Sequence, residues 1–407
     1  MAAADRARDV PVVIAGAGPA GLVAAVTLAR HGIGSLLVER NPALSPLPRA
    51  TGVSLRTMEL LRSWGLEDQV RAGQLDLGFT TGFATSSLAS PEGVTLNVGF
   101  PDLAQAAAHS PALPAAVPQD HLEPVLLGHL RGLPATEVRF GTELAAFDQD
   151  AGGVTVTLRE RATGAERRVR GAYLVGADGA HSPVRAGLGI AMDGPDHLAE
   201  LLTVLFEAPL AGVVGDRRYG IYFIQHPEAG GLFVPNGAQD RWLYGRTWDP
   251  ERERLEDYTG ARLTGLIRTA AGVADLPVRM VAKGSFSFAA QVAQRYREGR
   301  VFLVGDAAQR MTPRTGMGMN TAVAEAHDLG WKLAWALNGW AARPCSTPTR
   351  PSGARSGPAA PPDRPRKGPP RRAPRCWPRT STGACPTPGS PAATATGAPP
   401  STSSARA

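Results

Sequence analysis

Residues 16–21 read Gly-Ala-Gly-Pro-Ala-Gly, and their setting leaves few folds open to this chain. Ahead of them, Val10–Ala15 is an unbroken apolar run, the pattern of a buried parallel strand. Behind them, Ala20–His31 has helical composition, and Ile33–Val38 is a second buried run. This order predicts a βαβ unit. Within it, Gly16 permits a tight turn, Gly18 lets the backbone approach a pyrophosphate, and Gly21 allows close helix–strand packing. The helix N-terminus then turns its free N–H groups and dipole to the phosphates. Glu39 ends the second strand, where a carboxylate accepts ribose hydroxyls. A lone GxGxxG is weak, and a glycine-rich turn that merely packs well is the bland alternative. Strand, glycines, helix, strand and acid in register predict dinucleotide binding. The apolar run from Pro11 also resembles a membrane span, but its glycine and proline interruption and the flanking Asp5 and Asp9 argue against one. A cytoplasmic protein without a membrane partner is expected.

Further along, Leu55, Met58, Leu61 and Trp64 recur at helical spacing, with Ser54 as N-cap. His121–Leu130 reads as another helix. Gly152–Arg170 alternates on both sides of Thr163-Gly164 and predicts a β-hairpin. Ala172–Val175 and Arg300–Val304 are buried strands, and Gly318–Leu337 is a long helix. Between about Gly189 and Arg297 lie alternating aromatic segments, YGIYFIQ, GGLFVP, RWLYGRTW and KGSFSFAAQVAQRY, which predict a mostly antiparallel sheet. The expected fold class is α/β. Residues 1–188 and 298–340 form a Rossmann-like three-layer domain with a mostly parallel sheet. Residues 189–297 are an inserted β-sheet substrate domain, and 341–407 a disordered Pro/Arg-rich tail.

Two further segments carry chemistry. Tyr173–Arg185, YLVGADGAHSPVR, runs from a strand into Asp178-Gly179. Val301–Leu337, VFLVGDAAQRMTPRTGMGMNTAVAEAHDLGWKLAWAL, delivers Asp306, then a loop with Pro313, Gly316 and Gly318, then Asn320 at a helix start. Either alone reads equally as a cap, a turn or a core helix. With residues 16–21, and with LPRATGVSLRTMELLRSWGL (Leu47–Leu66) and VPQDHLEPVLLGHL (Val117–Leu130), the chain resembles FAD-dependent aromatic hydroxylases of the p-hydroxybenzoate hydroxylase fold. The likeness is to the actinomycete polyketide hydroxylases of tetracenomycin and anthracycline type, over roughly residues 9–340.

The resemblance implies roles. Gly16, Gly18 and Gly21 cradle the FAD pyrophosphate, Glu39 binds the adenosine ribose, and Arg40 lies beside it. Arg49 lies near flavin and phosphates, and Gln119 reaches the ribityl chain. Asp178 and Gly179 are linked to both FAD and NAD(P)H. Asp306 accepts from a ribityl hydroxyl, and Pro313 lines the flavin site. Gly316, Gly318, Met319 and Asn320 bring backbone to the isoalloxazine, where a helix N-terminus stabilises negative charge. Arg49 and Pro313 are the implied catalytic pair. Where the family usually has His after Gly-Asp-Ala-Ala, this chain has Gln309, which hydrogen-bonds but does not titrate near neutral pH.

The implied activity is hydroxylation of a phenolic or polycyclic polyketide substrate with O2 and NADPH or NADH. The oxygen is delivered from a flavin C4a-hydroperoxide, and the cofactor carries the hard chemistry. Baeyer–Villiger insertion on the same fold and a non-catalytic flavin- or ligand-binding protein are the alternatives. No metal site is implied. Tyr222, Phe223, Gln225, Phe233, Trp242, Tyr244 and Arg246 are candidate substrate-pocket residues, against the plainer reading that half or more are sheet core.

The net charge of +7 suggests nucleic acid only until it is located. Residues 341–407 carry eleven Lys/Arg against one Asp, so residues 1–340 are mildly acidic and no nucleic-acid role is expected. That tail holds all three cysteines and 16 of the 36 prolines, and no Leu, Ile, Val, Met, Phe or Tyr. Codons for ARPCSTPTRPSGARS, read from their third bases, permit Leu-Leu-Asp-Ser-Tyr-Glu-Ala-Glu-Arg-Arg-Pro, the stretch with which the family continues. A frame shift near residue 341 is therefore expected, against the alternatives of a Pro-rich partner-binding segment or a basic nucleic-acid arm. A chain lacking the family's following helices is expected to bind FAD weakly or to aggregate.

Overall fold

Strand β1 (Arg8–Ala15) ends in four consecutive buried residues, Val12–Ala15, so both of its faces are covered. This is what an unbroken apolar run requires. The computed structural model describes residues 8–98, 103–237, 240–313 and 316–340. The tail at 341–407 lies outside them. After β1 come helix α1 (Pro19–Arg30) and β2 (Ser35–Glu39), the βαβ start expected from the glycines. Next in the chain are α2 (Leu55–Ser63), β3 (Gly78–Thr85), β4 (Val94–Asn97), α3 (Gln119–Arg131) and β5 (Thr136–Phe140). The predicted hairpin belongs to a three-strand run of β6 (Thr142–Gln149), β7 (Val154–Glu160) and β8 (Glu166–Gly176). Short α4 (Pro183–Gly187) follows.

The first sheet has the order β14-β8-β1-β2-β5, where β14 is Val301–Leu303, and all four of these pairings are parallel. Its one face packs Val12, Ile14, Leu37, Val175 and Phe302 against α1, α3 and the long helix Gly318–Leu337. Its other face packs Val13, Leu36 and Leu174 under Val154, Val156 and Leu158 of β7. Sheet between helices and hairpin gives the three layers.

The second sheet holds β9 (Ala199–Glu207), β10 (Tyr219–Ile224), β11 (Gly231–Pro235), β12 (Arg241–Trp248) and β13 (Arg279–Phe288). Its order is β13-β9-β12-β11-β10-β3-β4, antiparallel except for β10 with β3. The sheet thus draws two strands from residues 78–97, inside the stretch that sequence reading gave to the nucleotide-binding part. The alternation in those residues is short and broken by glycine, so it does not mark them as strands of the second sheet. One face of this sheet is closed by α5 (Gly260–Ala271), through Leu263, Ile267, Ala270 and Ala271.

The long helix that follows the Asp306 turn is α6 (Gly318–Leu337). It crosses α1 closely where Gly330 meets Thr27; a Cβ on Gly330 would lie 2.8 Å from Thr27 Cβ. The crossing lets α6 lie close alongside α1.

Candidate active site

The parallel strands of the first sheet end together. Ala15 of β1 is in register with Val38 of β2 and Gly176 of β8, and Gly176 with Leu303 of β14. The glycine turn, Glu39, Asp178-Gly179 and Asp306 therefore leave one edge side by side, at the carboxyl ends of the strands where open α/β sheets bind ligands. Gly16 sits at φ +105°, and a Cβ there would lie 2.3 Å from the Ala177 carbonyl oxygen. A Cβ on Gly21 would lie 1.8 Å from the Gly16 oxygen. Gly18 differs: a Cβ there meets nothing within 4 Å. Two glycines are demanded by the fold, and the third leaves space open at the N-terminus of α1.

Around that space, Glu39 accepts the Ala17 N–H through Oε2 at 2.9 Å and the Asn41 N–H through Oε1 at 2.9 Å. Arg40 is exposed beside it. Gln119 opens α3, its N–H donating to the Ala50 oxygen at 2.9 Å and its Oε1 accepting from the Arg49 N–H at 3.4 Å. Its Nε2 donates to Glu123 Oε1 at 2.7 Å. Glu123 is 4% exposed, and burial pushes its carboxyl up to about 7. The Gln119 bond and the Arg49 charge oppose that rise, while Asp120 and Glu39 add to it.

Asp178 is engaged in its own segment. Its Oδ1 accepts from Ser182 Oγ at 2.5 Å and its Oδ2 from the Val184 N–H at 2.9 Å. Burial raises its carboxyl and these bonds counter it. Arg185, from the same motif, donates to the Ala307 oxygen at 3.0 Å and so ties Asp178-Gly179 to the turn that carries Asp306. Asp306 accepts no hydrogen bond from any described residue. Its side chain opens to solvent while protein closes round it on the other sides. That enclosure raises its carboxyl, against the charges of Arg49 and Arg310.

The loop before α6 presents exposed Pro313 and Gly316; the Gly316 N–H donates to the Pro313 oxygen at 3.0 Å, with Gly316 at φ +62°. Gly318 has open space at its Cβ position. Two side chains here are not free to face a ligand. Met319 packs into the core of the first sheet. Asn320 is 3% exposed and uses its whole amide: Oδ1 accepts from the Ser54 N–H and Thr57 Oγ1, and Nδ2 donates to the Gly52 and Gly316 oxygens. Neither side chain is therefore left for a ligand at the helix start.

The candidate substrate residues divide by strand parity. Tyr222, Phe233, Trp242 and Tyr244 are buried in the core beneath α5. Tyr222 donates to the Arg217 oxygen at 2.5 Å and Tyr244 to the Ala229 oxygen at 2.8 Å. Arg246 shares that side, lying over the Tyr258 ring at 5.7 Å and donating to the Glu228 oxygen. All five side chains thus lie on the α5 side of the sheet. Phe223 and Gln225 have the other parity. Across that face, register aligns Gly284, Thr203, Gly245, Leu232, Phe223 and Ala84 in one row. Leu47, two residues before Arg49, reaches this row; a Cβ on Gly284 would lie 2.7 Å from Leu47 Cδ2. Small residues in three of six places give the row low relief.

A sequence pattern of the family described as FAD binding domain matches residues 9–345. The chain belongs to that family. The open Cβ position at Gly18 and the unpartnered Asp306 fit an FAD pyrophosphate and a ribityl hydroxyl. A Streptomyces halstedii protein named as a polyketide hydroxylase is 42% identical, over 84% of this chain and 62% of its own length. Aklavinone 12-hydroxylase of Streptomyces peucetius subsp. caesius is 42% identical, over 81% of this chain and 68% of its own. A crystal structure of aklavinone-11 hydroxylase with FAD and aklavinone superposes with TM-score 0.75 and 39% identity, covering 82% of this chain and 64% of that one. The chain thus spans less than two thirds of the first of these relatives. Among the described residues, no helix is long and apolar enough to cross a membrane.

Sequence reading missed Glu123 and the small-residue face. Gln119 and Glu123 stand four apart on one helix, a spacing that could have paired them.

Proposed function

We propose that this chain is an FAD-dependent monooxygenase that hydroxylates a polycyclic phenol of polyketide type, with NADPH as reductant and O2 as oxidant. The observations that carry the reading are the open space at Gly18 and the unpartnered Asp306 on one edge of the first sheet, with Leu47, two residues before Arg49, reaching the small-residue row of the second sheet at Gly284. Residues 1–188 and 298–340, less the strands β3 and β4, form the cofactor-binding part. Residues 189–297 with those strands form the substrate-binding part.

When bound, FAD supplies the two-electron exchange with a nicotinamide and the reaction with dioxygen. The chain's own residues bind and orient. Gly16, Gly18 and Gly21 shape the pyrophosphate turn, and Glu39, with Arg40 alongside, meets the adenosine ribose. Gln119 and Asp306 hold ribityl hydroxyls, and Arg49 balances phosphate charge. Asp178 and Gly179 brace the Asp306 turn through Arg185. Pro313, Gly316 and Gly318 bring backbone to the flavin. The N–H groups at the start of α6, from Gly318 through Asn320, favour negative charge there. Phe223, Leu232, Gly245 and Thr203 offer a flat apolar floor on which a fused ring system lies and from which water is excluded.

The chain loaded with excess FAD should oxidise NADPH faster when aklavinone or a related polycyclic phenol is added. Under 18O2 the product should gain one labelled oxygen. An FAD-loaded chain whose NADPH oxidation ignores every such phenol would overturn the reading. The sheet parity makes a second expectation. Tyr244→Phe loses the bond to the Ala229 oxygen and should cost about 1 kcal/mol of stability, with KM unchanged. In Gly245→Val the new Cβ lies 3.0 Å from Leu232 Cδ1, so Leu232 must shift on the floor; KM should rise about tenfold, near 1.4 kcal/mol of binding, with some stability lost as well. Urea unfolding and steady-state kinetics on both variants check this; a raised KM in Tyr244→Phe would return the helix face to the substrate.

A further inference from the structure

Asp306 stands on a short turn, Gly305–Ala307, and something must hold that turn. Gly305 has φ +61°, and a Cβ on it would lie 3.1 Å from Ala20 Cβ of α1 and 3.2 Å from Ala322 Cβ of α6. The turn is clasped between two helices. Its backbone is anchored by Glu325, one helical turn after Ala322. Glu325 Oε2 accepts the Gly305 N–H at 2.9 Å, and its Oε1 lies 2.5 Å from Gln309 Nε2. Glu325 is 8% exposed and Gln309 4% exposed, both on the core side of the turn.

We propose that Glu325, paired with Gln309, is the positioning residue that holds the Gly305–Ala307 turn and aims Asp306 into the cofactor crevice. The inference rests on the cofactor reading above. Glu325 touches neither cofactor nor substrate in this account; it acts through the Gly305 amide.

The pair has a second property. Burial pushes the Glu325 carboxyl up to about 8, Asp306 adds to the rise, and the bonds from Gly305 and Gln309 oppose it. Near neutral pH Glu325 is therefore the neutral acid. A neutral carboxylic acid carries one O–H that must find an acceptor. Gln309, its amide turned over, supplies the oxygen; with Glu325 ionised, the same amide supplies an N–H. Glutamine serves both states without titrating. The charged groups facing this place are few: Asp306 faces Glu325, Arg49 and Arg310 face Asp306, and α1 carries no titratable side chain before Arg30. Ionisation of Glu325 sets a second negative charge behind Asp306.

The test uses the full chain, Glu325→Leu and Glu325→Gln. Without FAD, amide hydrogen exchange at Gly305 should quicken at least about tenfold in Glu325→Leu, as one lost hydrogen bond of about 1.4 kcal/mol implies. Leu303, whose N–H pairs with the Tyr296 oxygen, should be unchanged. Glu325→Gln should exchange as wild type, because its amide oxygen still accepts from Gly305. Unchanged exchange at Gly305 in Glu325→Leu would overturn the proposal. If that variant does not fold, pH decides. The folded acid is raised above its unfolded value, so the native state holds the extra proton, and stability falls as pH rises from about 5 to about 8. The wild type should lose Tm relative to Glu325→Gln across that window; parallel melting curves from pH 5 to pH 9 would sink the protonated form. With FAD added, affinity should drop in Glu325→Leu and persist in Glu325→Gln. If no version binds FAD while Gly305 exchange responds as stated, the cofactor reading fails and this one stands.

Discussion

Gly18→Val should leave the fold intact and abolish FAD binding, whereas Gly21→Ala should destabilise the fold sharply. Both positions belong to one glycine motif, and sequence reasoning treats them alike. The geometry separates them. Gly18 has φ −73° and ψ −178°, a conformation open to any residue, and nothing lies within 4 Å of its Cβ position. Valine there meets no protein, and the loss of an N-cap glycine costs about 1 kcal/mol or less. Its methyl groups occupy the space proposed for the pyrophosphate, so FAD affinity should fall at least about 100-fold, near 2.7 kcal/mol. At Gly21 even one methyl lies 1.8 Å from a backbone oxygen of the turn. Relief requires α1 to move off β1, and α1 is buried from Ala20 through Ala29. Overpacking in a rigid core costs about 1–3 kcal/mol and more where backbone must shift; the upper end is expected. Thermal melting of the cofactor-free variants and FAD fluorescence titration distinguish the two. A Gly18→Val chain that binds FAD like wild type would remove the pyrophosphate from this turn.

Much of the fold was legible because its signals are local. The βαβ start, the Ser54 cap and the hairpin at Thr163-Gly164 rest on residues within a few positions of one another. The structure reproduces all three, Ser54 Oγ accepting from the Thr57 N–H. The inner face of the second sheet was not legible. Both faces of strands such as YGIYFI are apolar, so alternation gives two sets of residues but not which set meets α5. Aromatic size favoured Tyr222, Phe233, Trp242 and Tyr244, and large rings are also what a core consumes. The substrate-side row is marked instead by small residues, Gly284, Gly245 and Ala84, which align only through register across five pairings. Glu325 was hidden for another reason: its partners lie 16 and 20 residues away, on the far side of a loop. A helical projection of α6 would have shown it between buried Ala322 and Ala326, an acid on an apolar face and hence in need of a partner.

Asn320→Leu should destabilise the chain by about 3–5 kcal/mol, a large loss for a near-isosteric change. The amide reaches from the start of α6 to the loop before α2 and to Thr57 of α2 itself. Its four bonds run to the Ser54 N–H at 2.8 Å, Thr57 Oγ1 at 2.9 Å, the Gly52 oxygen at 2.9 Å and the Gly316 oxygen at 3.3 Å. Leucine keeps the volume and removes every one. Gly316 is exposed and its oxygen turns to water. Thr57 retains Ser54 Oγ at 3.1 Å. The Ser54 N–H and the Gly52 oxygen have no substitute, and each partly buried group left unmatched costs about 1–3 kcal/mol. The effect should also reach the crevice. Without the amide, the N-terminus of α6 is no longer registered against the Gly52–Ser54 backbone, and FAD affinity should fall even at temperatures where the variant is folded. Asn320→Asp keeps the two accepting bonds but sets an oxygen against the Gly52 and Gly316 oxygens, so it should lie between wild type and leucine at low pH, where the acid can donate, and weaken as pH rises. Urea unfolding of both variants at pH 5 and pH 8 measures this. A leucine variant within about 1 kcal/mol of wild type would mean that water replaces the amide, and that the crossing at Gly330 and Thr27 alone holds α6 in place.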